Sequence, residues 1–170
     1  MSERTVTLVG PSKTESMSGY RVGAAVGPPE MIDAMEQVIS LTSLRTAGYA
    51  QQTLRHWIDD DGAWLSERTK AHQQIRDTLV ERLRAIPGVT VSTPAGSSYV
   101  FPDASSSPWA LAHGDDDFAL AVALKKNGVL IAPGYQFGIA GRGHFRINFS
   151  QDAERLSRAC DAIEEVLTTP

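Results

Sequence analysis

Cysteine is nearly absent from these 170 residues: Cys160 is the only one. That excludes a disulfide framework within the chain. The helical pattern around Cys160 marks it as a core or boundary residue, a usage that suits a reducing compartment. No apolar run reaches the roughly 20 residues that a bilayer-spanning helix needs. Positive charge is in deficit, with 16 Lys and Arg against 20 Asp and Glu. No basic field is therefore expected to recruit nucleic acid or an anionic membrane. The four histidines, His56, His72, His113 and His144, are scattered and form no ligand set. The acidic clusters Asp59–Asp61 and Asp115–Asp117 have no histidine at ligand spacing and read as solvated loops or helix starts. Repeats and low-complexity tracts are missing. The start, MSERTVTLVG, lacks an apolar segment followed by a small-residue cleavage site, so the expectation is a cytoplasmic protein.

What is present describes an ordinary globular chain, 42% hydrophobic and 21% charged, long enough to bury a core. Arg4–Val9 alternates and reads as a strand that ends at Gly10-Pro11. Pro28 and Pro29 open a helix whose apolar stripe is Ile32, Met35, Val38 and Ile39. Tyr49 to Ile58 continues as a second helical piece. From about Ala63 to Ile86 the pattern is a long helix, with Trp64, Ala71, Ile75, Leu79, Leu83 and Ile86 on one face. Pro87-Gly88 stops it. Val89–Ser92 and Ser98–Phe101 are strand candidates, and Ser105–Ser107 is a short loop. Asp117–Lys126 is a helix ended by Asn127-Gly128. Val129–Ala132 and His144–Ser150 are strands. Gln151–Leu167 is a last helix with Leu156, Cys160, Ile163 and Val166 or Leu167 inward. The order β-β-α-β-β-α from residue 87 predicts a compact α+β unit with helices on one sheet face.

Two cationic positions stand out. Lys13 sits among small residues in a loop directly after an apolar strand, a favoured place for sites in α/β folds. Arg21 follows in Gly19-Tyr20-Arg21-Val22-Gly23, where a planar fork could clamp a phosphate. A neighbouring cation favours the neutral, nucleophilic form of an amine. The bland reading is a pair of solvated surface charges. Arg146 lies in HFRINFS, flanked by Phe145 and Ile147. Alternation places His144, Arg146 and Asn148 on one side, so Arg146 either faces solvent or receives a carboxylate in bidentate fashion. The preceding turn, Pro133-Gly134-Tyr135-Gln136-Phe137-Gly138, could wall a pocket or merely connect strands.

The ordered set SKTESMSGYRVG, PPEMIDAMEQV, YAQQ, GSSYVFPD, GVLIAPGYQFG and HFRINFS resembles the class I/II aminotransferases, the fold-type I pyridoxal-phosphate enzymes. The resemblance covers essentially the whole chain. It implies transfer of an amino group between an amino acid and a 2-oxo acid, with pyridoxal 5′-phosphate as cofactor. Lys13 would be the catalytic lysine that condenses with the cofactor aldehyde and then moves the proton between substrate Cα and cofactor C4′. Arg21 would hold the cofactor phosphate, helped by Ser12. Arg146 would bind the substrate α-carboxylate. Tyr49 would lie near the cofactor of a neighbouring subunit, and Arg45 would read a substrate side chain.

Two departures accompany the resemblance. Many relatives carry a phosphate-binding serine or threonine three residues before the lysine, where this chain has Gly10. The family's N-terminal part, with the phosphate loop, the ring-stacking aromatic and the aspartate that pairs with the pyridinium nitrogen, has no counterpart in these residues. The implied fold is thus α/β and α+β. Residues 1–61 would be a remnant of the large, cofactor domain, 62–86 a long connecting helix, and 87–170 a complete small α+β domain. The implied partners are a separate N-terminal-half polypeptide, a homodimer, or both. The alternatives are a non-catalytic, truncated interaction module, or a decarboxylase or lyase of the same fold.

Overall fold

The computed structural model describes residues 2–59, 62–114 and 116–170. Asp60, Asp61 and Asp115 of the two acidic clusters, and the side chains of Ser2, Ile58 and Asp59, lie outside the described residues. The chain forms two compact units that divide between Thr69 and Lys70.

In the first unit, β1 (Thr7–Val9) pairs antiparallel with β2 (Ala24–Val26), Leu8 opposite Ala25. The alternation at Arg4–Val9 predicts a longer strand; Ser2–Arg4 is instead a turn of 3₁₀-helix. β2 carries no strand signal of its own, because its small residues and flanking glycines acquire strand geometry only by pairing with β1. Gly23 is required at the root of this hairpin. A Cβ there would stand 2.9 Å from the Val9 carbonyl oxygen, closer than real side chains approach. Helix α1 (Pro29–Thr42) starts with Pro29 in its first turn, where the missing N–H costs nothing. None of its residues is buried. Its expected apolar stripe is half-buried at Ile32 and Met35 and exposed at Val38 and Ile39. Helix α2 (Gly48–Asp59) follows, and α3 (Gly62–Ala85) crosses the division.

The second unit holds the core. The C-terminal half of α3 buries Leu79, Val80 and Leu83. Trp64 and Ala71, expected on the same face, are exposed. Strand β3 (Tyr99–Val100), β4 (Ala132–Pro133) and β5 (Phe145–Asn148) make an antiparallel sheet in the order β3-β5-β4. Val100, Phe145, Ile147 and Phe149 face inward. Helix α6 (Ala153–Thr168) covers them with Leu156, Cys160, Ile163, Val166 and Leu167, the stripe that its sequence predicts. Its start is set by Asp152, whose carboxylate accepts the Arg155 N–H at 2.8 Å. Arg82 of α3 donates to Asp161 at 2.6 Å and to the Ser157 carbonyl at 3.0 Å on α6.

Two expectations shift in this unit. Val89–Ser92 forms only an isolated bridge, Thr90 with Asp103. The Val91 carbonyl is taken instead by the Arg84 guanidinium, at 2.9 and 3.1 Å. The strand expected at Val129–Ala132 is Ala132–Pro133, because the Val129 N–H returns to the Leu124 carbonyl to close α5 (Asp117–Lys126). Residues 105–107 form the expected loop and lead into α4 (Pro108–His113), a helix the sequence reading does not include. There the buried Ser107 hydroxyl accepts the Ala110 N–H at 3.2 Å.

Candidate functional site

Lys13 and Arg21 share the loop between β1 and β2. The buried Pro11 carbonyl accepts the N–H groups of Glu15 and Met17, at 3.2 and 3.3 Å, and folds the chain around Lys13. Ser12 is half-buried beside it and Lys13 is exposed. Among the described residues, no hydrogen bond or ion pair occupies the Lys13 amine. Ser18–Tyr20 then make a 3₁₀ turn, and Arg21 leaves it in the left-handed conformation, φ 52° and ψ 43°. Few non-glycine residues take that conformation, and such outliers gather at sites. One Arg21 nitrogen donates to the Ser18 carbonyl at 2.9 Å, which steadies the side chain and leaves most of the fork's donors for an anion. Arg45 is exposed in the turn between α1 and α2, and Tyr49 is exposed in the first turn of α2.

Arg146 belongs to the second unit, in β5 opposite Ala132. Alternation holds there: Phe145 and Ile147 enter the core, while Arg146 is half-buried on the other face. Its guanidinium carbon lies 4.4 Å from the centre of the Tyr99 ring and 4.9 Å from that of Phe137. Both distances are within cation–π range. Phe137 meets Phe101 edge-on at 5.2 Å, and Phe101 stacks on His144 at 4.9 Å. Among the described residues, no carboxylate stands within ion-pair distance of Arg146. The rings orient the guanidinium without neutralising it, and a ligand carboxylate can still take its fork.

The turn before β5 is a built loop rather than a plain connection. Two short 3₁₀ turns, Gly134–Phe137 and Ile139–Gly141, pack so closely that a Cβ at Gly134 would collide with the Gly141 carbonyl, and one at Gly141 with that of Gly134. The Gly134 N–H donates to the His144 carbonyl at 2.9 Å. Asp117 reaches this loop from the first turn of α5. Its carboxylate accepts the Tyr135 and Gly143 N–H groups, both at 2.8 Å. Sequence reasoning places Asp117 in a solvated cluster or helix start. It does start a helix, but it is only 6% exposed. Charged runs read as surface, and nothing local marks a carboxylate whose partners lie 18 and 26 residues on. Nearby, burial alone would raise the Asp103 carboxyl, but bonds from Ser105 hold it below its ordinary value.

The profile of the family described as aminotransferase class I and II matches residues 1–163. The aspartate/prephenate aminotransferase of Cereibacter sphaeroides is 32% identical over 167 residues, covering 95% of this chain and 41% of the relative. Its counterpart in Thermus thermophilus is 33% identical, covering 97% and 41%. A solved aspartate aminotransferase from Rhodobacter sphaeroides superposes with a TM-score of 0.84 at 38% identity, over 98% of this chain and 41% of that one. An aromatic aminotransferase from Pyrococcus horikoshii gives a TM-score of 0.85 at 29% identity, over 98% and 44%. The chain therefore spans about two fifths of the length of these relatives. A family profile that runs along nearly the whole sequence and relatives at 32 and 33% identity agree: the chain belongs to the class I and II aminotransferases, a family of pyridoxal-phosphate enzymes.

Proposed function

We propose that this chain supplies the catalytic lysine, a phosphate-binding arginine and the substrate-carboxylate arginine of an aminotransferase that moves an amino group between an amino acid and a 2-oxo acid. The observation that carries the reading is Arg146, held between Tyr99 and Phe137 with no carboxylate of its own among the described residues. A guanidinium so placed favours a flat, two-oxygen anion. The donor set fits pyridoxal 5′-phosphate: an unengaged primary amine for the aldehyde, and a guanidinium with the Ser12 hydroxyl nearby in sequence for the phosphate. When bound, that cofactor supplies an aldehyde and an electron-withdrawing ring. Lys13 provides an amine at Nζ that takes and returns a proton. Arg21 holds the phosphate, and Arg146 orients the amino acid by its carboxylate. Arg45 and Tyr49, both exposed, are available to a substrate side chain and to a neighbouring subunit's cofactor.

The reading extends to organisation. Residues 1–61 would be part of the large domain and 87–170 the small domain, with the helix at 62–86 between them. The surface of the first unit supports this: Leu8 is 72% exposed, Val26 63%, Val38 60% and Leu41 87%. A lone two-stranded ribbon with open edges is marginal in water. A second polypeptide carrying the N-terminal part of the family fold, in a cytoplasmic and oligomeric enzyme, would cover that surface.

The test is co-expression with such a polypeptide, addition of pyridoxal phosphate, borohydride trapping and peptide mapping. The cofactor is expected on Lys13. Attachment elsewhere overturns the assignment, and no attachment to a stably folded chain favours the interaction module. Arg146→Lys is expected to weaken amino-acid binding well before cofactor binding, because an ammonium lacks the two-pronged geometry.

A further inference from the structure

We propose that Asp117 is a positioning residue for Arg146: its buried carboxylate clamps both ends of the loop that lays Phe137 against the guanidinium. Asp116, not Asp117, caps α5, accepting the N–H groups of Phe118 and Ala119 at 3.0 and 2.9 Å. Asp117 is therefore free to reach across to the loop, and the N-terminus of α5 favours its negative charge. One oxygen takes the N–H of Tyr135, two residues before Phe137; the other takes that of Gly143, three residues before Arg146. Such charge-assisted bonds are the stronger kind. The loop is closed at its base, just outside the anchors, by the Gly134 N–H to the His144 carbonyl, and by the Gly134–Gly141 contact. These contacts brace it internally, so two anchors suffice to place it. Phe137 rides on that loop and meets Arg146 at 4.9 Å. An amide at position 117 would keep one acceptor but turn an NH₂ toward the second N–H, and a methyl would leave both N–H groups without a partner. The inference rests on reading Arg146 as the carboxylate receiver, because only then does its orientation matter to function.

The experiment is NMR on the full chain, comparing wild type with Asp117→Asn, Asp117→Ala and Arg146→Lys. Two readouts are followed: the ring-current displacement of the Arg146 side-chain signals, and their response to maleate. Wild-type Arg146 signals are expected to be displaced by the flanking rings and to shift saturably with maleate. Asp117→Asn is expected to shrink that displacement and weaken maleate about tenfold, the scale of one lost charge-assisted bond. Asp117→Ala should lose more, while the Phe145 and Ile147 core signals stay in place. If the alanine variant disturbs the core, the same-sized asparagine variant decides. Wild-type Arg146 signals and maleate affinity in Asp117→Asn overturn the proposal, as does a core that collapses in that variant, since Asp117 would then be a general anchor. If maleate fails to move wild-type Arg146, or binds Arg146→Lys equally, the carboxylate reading falls instead. The ring-current comparison still decides the role of Asp117.

Discussion

The two units of this chain are made from similar residues and reach opposite ends. In residues 70–170, one contiguous cluster buries Leu79, Leu83, Leu124, Phe145, Phe149, Ile163 and Leu167 almost completely. In residues 2–69, Pro11, Val22 and Ala50 are buried among the described residues, while large apolar groups such as Leu8, Val26, Val38 and Leu41 stay in water. Apolar burial is the main favourable term in folding, so the second unit carries a core of its own, whereas the first leaves most of its large apolar side chains in water. The difference also sorts the site: the proposed carboxylate receiver stands on the well-packed unit, and the proposed cofactor lysine on the sparsely buried one.

Hydrogen exchange breaks or confirms this contrast most sharply. Amides of α6, β5 and the end of α3 are expected to exchange only through global unfolding, and those of β1, β2 and α1 orders of magnitude faster. Comparable protection in both units would refute it. Core truncation comes next. Phe145→Ala should cost about 3–5 kcal/mol in a denaturant melt, as emptied aromatic core sites do. Val38→Ala should stay within about 0.5 kcal/mol, the range of surface changes. A smaller effect is expected at the α6 cap, where Asp152→Ala should cost about 1 kcal/mol and lower the midpoint without changing the slope. The smallest is a pH effect. Because the Asp103 carboxyl is held below its ordinary value in the folded chain, its contribution is full above the ordinary carboxylate pKa. It is lost as pH falls through the lower folded value. Stability measured through that acid window should decline less steeply in Asp103→Asn than in wild type.

Legibility follows the same divide. The buried stripe of α6, the long α3, the capping of α5 and the alternation around Arg146 were readable, because each depends on residues a few positions apart. α4 was not read: the serine run before it is the expected loop, and the cap formed by Ser107 before Pro108 went unrecognised. β2 was not readable, since a strand of Ala24, Ala25 and Val26 exists only as the partner of β1. The Lys13 loop and Arg146 were singled out by residue type and setting. The rings that hold Arg146 were partly visible as an aromatic turn, but Tyr99 lies 47 positions upstream and was not.

Local chemistry, written in the order of residues, determined the helices, their caps, the inward faces of α6 and β5, and which cations stand out. The fold alone decided that Asp117 is buried, that its oxygens meet Tyr135 and Gly143, and that Tyr99 and Phe137 close on Arg146. The reason is distance along the chain. A cap or a stripe is satisfied within a turn or two of itself, whereas a carboxylate clamp or a ring pair forms only when packing brings remote segments together.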